Sequence, residues 1–185
     1  MKKLQFSFAF FAVLSVLQLS VPVWMIANRE MTLRDGKPFR FRTAPVDPYD
    51  AFRGRFVALQ VFPNFGTLSK DEKLTANKKV FAHLGEDNDG FAKIITVSAN
   101  RPVDRDYVTC RVNSLTDSLV YLQFPFDRYY MDAHAAPAAE AAYREHSRGE
   151  VRDVYVEVRV KDGNAVVEEL FIAGMPIREF LRRNP

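Results

Sequence analysis

Four charged side chains crowd the stretch Ala44-Pro45-Val46-Asp47-Pro48-Tyr49-Asp50-Ala51-Phe52-Arg53-Gly54-Arg55: two carboxylates, Asp47 and Asp50, and two guanidiniums, Arg53 and Arg55. Pro45 and Pro48 hold Asp47 on a rigid, extended approach, and the Asp50 carboxylate can accept backbone amides in the turn that leads to Gly54. Gly54 then permits a positive φ or a bulge before a strand begins. Such a corner could take a charged ligand, or serve an envelope hydrolase through Asp47, Asp50 and Arg53. The plainer reading is a turn locked by carboxylate–amide and carboxylate–guanidinium bonds, and it is preferred.

A second constellation is aromatic. Phe124-Pro125-Phe126-Asp127-Arg128-Tyr129-Tyr130 stands directly ahead of a helical segment that carries Glu140. Arg128, Tyr129, Tyr130 and Glu140 could line a groove for a peptide or glycan, because rings with a polar tip suit such surfaces. The competing reading is that the rings pack the helix against a sheet.

The remaining reactive side chains have no such company. His83, His134 and His146 lack any spacing that sets two on one face of a helix or hairpin, and the single cysteine, Cys110, alternates with Val108 and Val112 as a buried strand residue does. No nucleophile elbow, phosphate-binding glycine loop or dinucleotide fingerprint occurs. The sequence therefore names no catalytic residue, no metal site and no cofactor.

These side chains must be positioned by strands. Val154, Val156, Val158 and Val160 alternate with Tyr155, Glu157, Arg159 and Lys161, the period of a half-buried strand, and Asp162-Gly163 is a hairpin turn leading into Ala165–Ile172. Shorter signals at 37–42, 56–62, 78–84, 91–98, 107–112 and 119–124 bring the expected count to seven or eight strands. Helices are expected at Ala135–Ser147 and Pro176–Arg183. Short connections require antiparallel pairing.

Ahead of this β-rich part, Leu4 to Ala27 runs without a charge behind Lys2 and Lys3. At about 1.5 Å per residue it reaches the roughly 30 Å of a bilayer core, and Trp24 suits an interfacial position. Bulky residues at Val21, Val23 and Met25 argue against a cleaved signal peptide. The expected division is a membrane anchor over 1–28, contacting the bilayer through residues 4–27, and a folded domain over 29–185. A signal-anchor start places the domain outside; Arg29, Arg34, Lys37, Arg40 and Arg42 just after the run keep the opposite orientation open.

Charge argues against nucleic-acid binding. Of 26 basic residues two precede the apolar run, which leaves 24 against 23 acidic residues, interleaved along the domain. No stripe forms to follow a nucleic-acid backbone.

In Pro45-Val46-Asp47-Pro48, Asp50, Arg53-Gly54 and the strand Phe56-Val57-Ala58-Leu59, with Arg128-Tyr129-Tyr130 and the closing Ala173-Gly174-Met175-Pro176, the chain resembles the GDYXXLXY family of bacterial membrane-anchored proteins. Gly54 and Leu59 match the name-giving pattern; Arg55, Phe56 and Val61 replace its Asp and two Tyr, so no role that needs that carboxylate carries over. The resemblance implies an extracytoplasmic domain on a single anchor, in the bacterial inner membrane, serving a polytopic membrane protein. The combined expectation is a single antiparallel β-rich domain with one inserted helix and a short carboxy-terminal helix, preceded by a transmembrane helix, and acting as a binding or accessory module.

Overall fold

The computed structural model describes residues 2–44, 56–68, 74–116, 119–148 and 153–184, and for residues 2–9 and Ala12 the description covers the backbone alone. Helix α1 (Lys2–Asp35) is followed by strands β1 (Lys37–Ala44), β2 (Phe56–Ala58), β3 (Gln60–Val61), β4 (Phe65–Thr67), β5 (Lys79–Glu86), β6 (Ala92–Ser98), β7 (Tyr107–Leu115), β8 (Leu119–Gln123) and β9 (Arg128–Tyr130). Helix α2 (Ala136–Arg148), strands β10 (Val154–Lys161), β11 (Asn164–Ile172) and β12 (Met175–Pro176), and helix α3 (Ile177–Arg183) complete the chain.

The strands form two five-stranded antiparallel sheets, in the orders β12-β11-β10-β1-β3 and β4-β8-β7-β5-β6, and a two-stranded ribbon of β2 with β9. The expected alternation in β10 is present: Val154, Val156, Val158 and Val160 are buried while the residues between them are half-exposed. Inward residues of both sheets join one hydrophobic core. Within it Phe41 of β1 meets Phe124 and Phe126 at ring-centroid distances of 5.7 and 5.2 Å, so the aromatic segment after β8 fills the space under the first sheet. Helix α2 buries Ala136, Ala139, Tyr143 and Ser147, and the Tyr143 hydroxyl donates to the carbonyl of Ala44 at 2.8 Å.

Two devices tie the sheets at their edges. The Asp162-Gly163 turn has φ values of +52° and +82°, and the Gly163 carbonyl accepts the amide of Thr109 on β7 at 2.9 Å. A Cβ on Gly163 would lie 2.4 Å from the Tyr107 ring. On the other side Arg42 of β1 donates to Asp87 and, at 2.9 Å, to Asp89, both in the β5–β6 turn, and stacks 4.0 Å above the Phe91 ring.

Several expectations change. The single strand expected over 56–62 is two: the chain pairs with β9 through Ala58, Leu59 donates its amide to Asp127, and from Gln60 the partner is β1. A strand that changes sheets breaks where its partner ends. β4 and β9, each three residues, are too short to show an alternation. Helix α1 exists but runs on past residue 28 to Asp35, with Pro22 inside it. Among the described residues no helix is long and apolar enough to cross a membrane; the expected span begins at Leu4, where the description covers backbone alone.

Replacing Gly163 by Ala should strain a left-handed backbone and push on Tyr107. We expect a loss of about 2 kcal/mol, read as a fall of about 4–8 °C in the thermal midpoint of the detergent-purified chain. The Arg42 guanidinium, with the amides of Phe91 and Asp89, holds the Asp87 carboxyl below the usual aspartate range. A depressed carboxylate pKa adds stability that is present above the unfolded value near ~3.9 and is lost as pH falls through the folded one. Acid unfolding should therefore be shallower in Asp87→Asn over that window, and identical slopes in the two proteins would refute the clamp.

Candidate functional site

The last turns of α1 lie against β10 and β11. They cover the outer face of the sheet, because the residues they meet, Arg159 and Lys161, alternate with the buried valines. Lys161 pairs with Asp35 at 3.0 Å, Arg159 donates to the carbonyl of Gly36 at 3.3 Å, and Thr32 is buried. Gly36 is needed for this approach: a Cβ there would stand 2.3 Å from the Thr32 carbonyl and 3.1 Å from the Val160 amide.

Where the helix leaves the sheet, a cavity of about 210 Å³ opens. Its walls are Arg29 of α1, Arg128, Tyr129 and Tyr130 of β9, Val167, Glu168 and Glu169 of β11, and Arg178 of α3. Three of the four residues proposed for an aromatic groove thus come together here. Glu140 does not: it sits on the exposed face of α2, paired with Arg144 at 3.2 Å. The other sequence-predicted corner, Asp47, Asp50, Arg53, Gly54 and Arg55, lies outside the described residues.

The signature strand holds this site in place. Phe56, Val57 and Ala58 pair with Tyr130, Tyr129 and Arg128. The Arg128 guanidinium stands 4.9 Å over the Phe56 ring, which contacts the Tyr130 ring at 5.9 Å. Val57 and Leu59 are buried beneath, so the strand's apolar face anchors β9 to the core while its other face supports Arg128 and Tyr130.

At the back of the cavity the buried Tyr129 donates its hydroxyl to Glu169 Oε1 at 2.5 Å. Burial raises the Tyr129 pKa, the hydrogen bond and charge of Glu169 raise it further, and Arg178 acts in the opposite sense. The phenol stays a neutral donor. Glu169 also accepts the amide of Leu170 at 3.0 Å. Glu168 is the extra residue of a bulge in β11, since Glu157 pairs with Glu169 and Val158 with Val167. The bulge turns its carboxylate to Arg159, which grips both oxygens.

Both carboxylates therefore have donors, while neither Arg29 nor Arg178 has an ion-pair partner among the described residues. The site can bind and orient an anion. Sequence reasoning missed Arg29, Arg178 and the two glutamates. Glu168-Glu169 inside an apolar strand was a usable signal, because two adjacent polar residues break a period of two and mark a bulge. The arginines of α1 and α3 carry no local signal.

The other reactive side chains lie elsewhere. His83 Nε2 is 3.2 Å from Ser98 Oγ, His146 Nδ1 is 3.0 Å from Asp153, and His134 is at the start of the α2 region. Among the described residues no group of three His, Cys, Asp or Glu could hold a metal ion. Cys110 is buried, and burial pushes its thiol pKa upward, away from the reactive thiolate.

Tyr129→Phe should remove the donor from a half-buried carboxylate and cost about 1–3 kcal/mol in denaturant unfolding. The double replacement with Glu169→Gln should recover part of that loss; strict additivity of the two would show that the hydrogen bond contributes nothing.

No curated protein and no solved structure matches this sequence. A family model, that of the GDYXXLXY protein, matches residues 18–170, from the middle of α1 to Leu170, and so takes in Arg29, β2, β9 and both glutamates of the cavity but stops before α3. On that match over most of its length, the chain belongs to the GDYXXLXY family.

Proposed function

We propose that this protein is a single-pass, membrane-anchored binding or accessory module, with its β-rich domain on the outer face of the membrane and an integral-membrane protein as its partner. The observation that carries the reading is the outer part of α1. From Phe10 to Ile26 every large apolar side chain is exposed, between 40% for Leu14 and 69% for Val13 and Ile26. A helix that is apolar all round belongs inside something apolar. Each such side chain left in water forfeits about 1.5–3 kcal/mol, so a lipid or protein environment is the physical counterpart of this surface. The helix hydroxyls agree with it, because Ser15 donates to the Phe11 carbonyl and Ser20 to the Leu17 carbonyl and neither needs water.

Lys2 and Lys3 directly before the apolar run support an inside amino terminus and an outside domain. A binding role is supported by the cavity beside the emerging helix, which gathers guanidiniums, carboxylates and aromatic rings. A partner that shares the bilayer would meet the domain at that end.

Carboxy-terminal fusions decide the topology: a reporter that matures only outside should be active and one that folds only inside should be silent, and the reverse pattern would overturn the orientation. For function, full-length chain captured from solubilised membranes should bring down one integral-membrane protein reproducibly, and Tyr130→Ala with Arg128→Gln should reduce its recovery. Equal recovery with the double variant would remove this end of the domain as the binding face.

A further inference from the structure

We infer that the cavity at the foot of the domain holds a phosphate group, supplied by the headgroup of a membrane lipid. The inference rests on the anchored reading above, and three features of the cavity carry it.

The first is charge. Arg128 pairs with Asp127 at 3.6 Å, and Arg159 from outside the cavity already satisfies Glu168, which sets Arg29 and Arg178 against the single carboxylate of Glu169 among the described residues. Positive charge is left over in a partly enclosed space, where its field is stronger than in open water. Guanidiniums present paired donors that match phosphate oxygens, and the Tyr129 hydroxyl, committed to Glu169, keeps that carboxylate turned to the back wall.

Size comes second. Pockets for drug-sized ligands measure about 300–1,000 Å³. At about 210 Å³ this one matches a small anionic group better than a whole nucleotide or oligosaccharide.

The third feature is position. Arg29 is two residues beyond Ala27, where the uncharged run ends, which places it about 3 Å of helix rise past the apolar segment. At that depth the anion a bilayer offers is the headgroup phosphate. Arg178 is also a wall of a second hollow, of about 480 Å³, whose other walls are the apolar Met131, Ala135 and Leu181 with Asp132 and Arg182. Phosphate and an apolar tail can therefore be held side by side, as free phosphate does not require. Tyr130, 57% exposed at the rim, is the kind of ring that sits at a membrane surface.

The test uses full-length protein in neutral detergent micelles doped with phosphatidylglycerol, with diacylglycerol, or with inorganic phosphate, and reads retained ligand by native mass spectrometry and by titration. Phosphatidylglycerol should be retained, diacylglycerol should not, and inorganic phosphate should compete weakly. Arg29→Gln with Arg178→Gln should lower phosphatidylglycerol retention at least about tenfold, while the Lys pair at the same positions should restore part of it. Equal retention of the two lipids, or undiminished retention in the Gln pair with an unchanged thermal midpoint, would overturn the site. Binding of inorganic phosphate without phosphatidylglycerol would overturn the lipid source. Alkaline extraction of membranes is run on the same proteins: release of the wild-type chain sinks the anchor, whereas loss of lipid retention in a chain that stays in the membrane sinks the cavity alone.

Discussion

Gly36 lets helix α1 become strand β1 within one residue, and the foot of the domain depends on how close that turn is. Because a side chain there would strike both the Thr32 carbonyl and the Val160 amide, the helix lies directly on the sheet. The amide of Gly36 donates to the Thr32 carbonyl at 2.9 Å, and β1 then enters register with β10 from Lys37 opposite Val160. The helix axis is thus fixed by a strand pairing in the core of the first sheet. Arg29, two turns back, is placed over β11 by the same constraint.

The signature strand answers a different problem, that of holding a three-residue strand. β9 cannot be stable alone, since an isolated short pairing is marginal in water. β2 pairs with it and is itself continuous with β3, which joins the first sheet through β1. Val57, Leu59 and Val61 point into the core along that path. Where the family pattern has tyrosine, Phe56 and Val61 serve as apolar contacts in this chain. Phe56 retains the ring that Arg128 stacks on, while Val61 is buried and needs no hydroxyl.

Legibility followed locality. The β10–β11 hairpin was readable because its alternation and its Asp162-Gly163 turn lie within a few residues of each other. The break between β2 and β3 was not, because it is decided by which strands are adjacent in space. Arg128, Tyr129 and Tyr130 stood out as neighbours in a cluster of rings. Glu140 was joined to them by sequence proximity alone, and α2 packs Ala136, Ala139 and Tyr143 inward, which turns Glu140 to solvent. Arg29 and Arg178 line one cavity only because α1 and α3 both pack on β11, a fact of sheet order with no trace in either helix.

The cavity also has a structural reason to be basic. Glu157 and Glu169 sit directly opposite each other on the outer face of β10 and β11, and like charges so placed repel. Arg40, opposite Glu157 on β1, relieves one side. On the other side Tyr129 supplies a hydrogen bond but no charge, so the relief must come from the guanidiniums of α1, β9 and α3. One unit of positive charge would neutralise Glu169, yet beside Arg128, which pairs with Asp127 at 3.6 Å, both Arg29 and Arg178 line the space. Sheet stability accounts for one of them. The excess remains for a ligand, and it stands on the side of the domain where the exposed helix emerges.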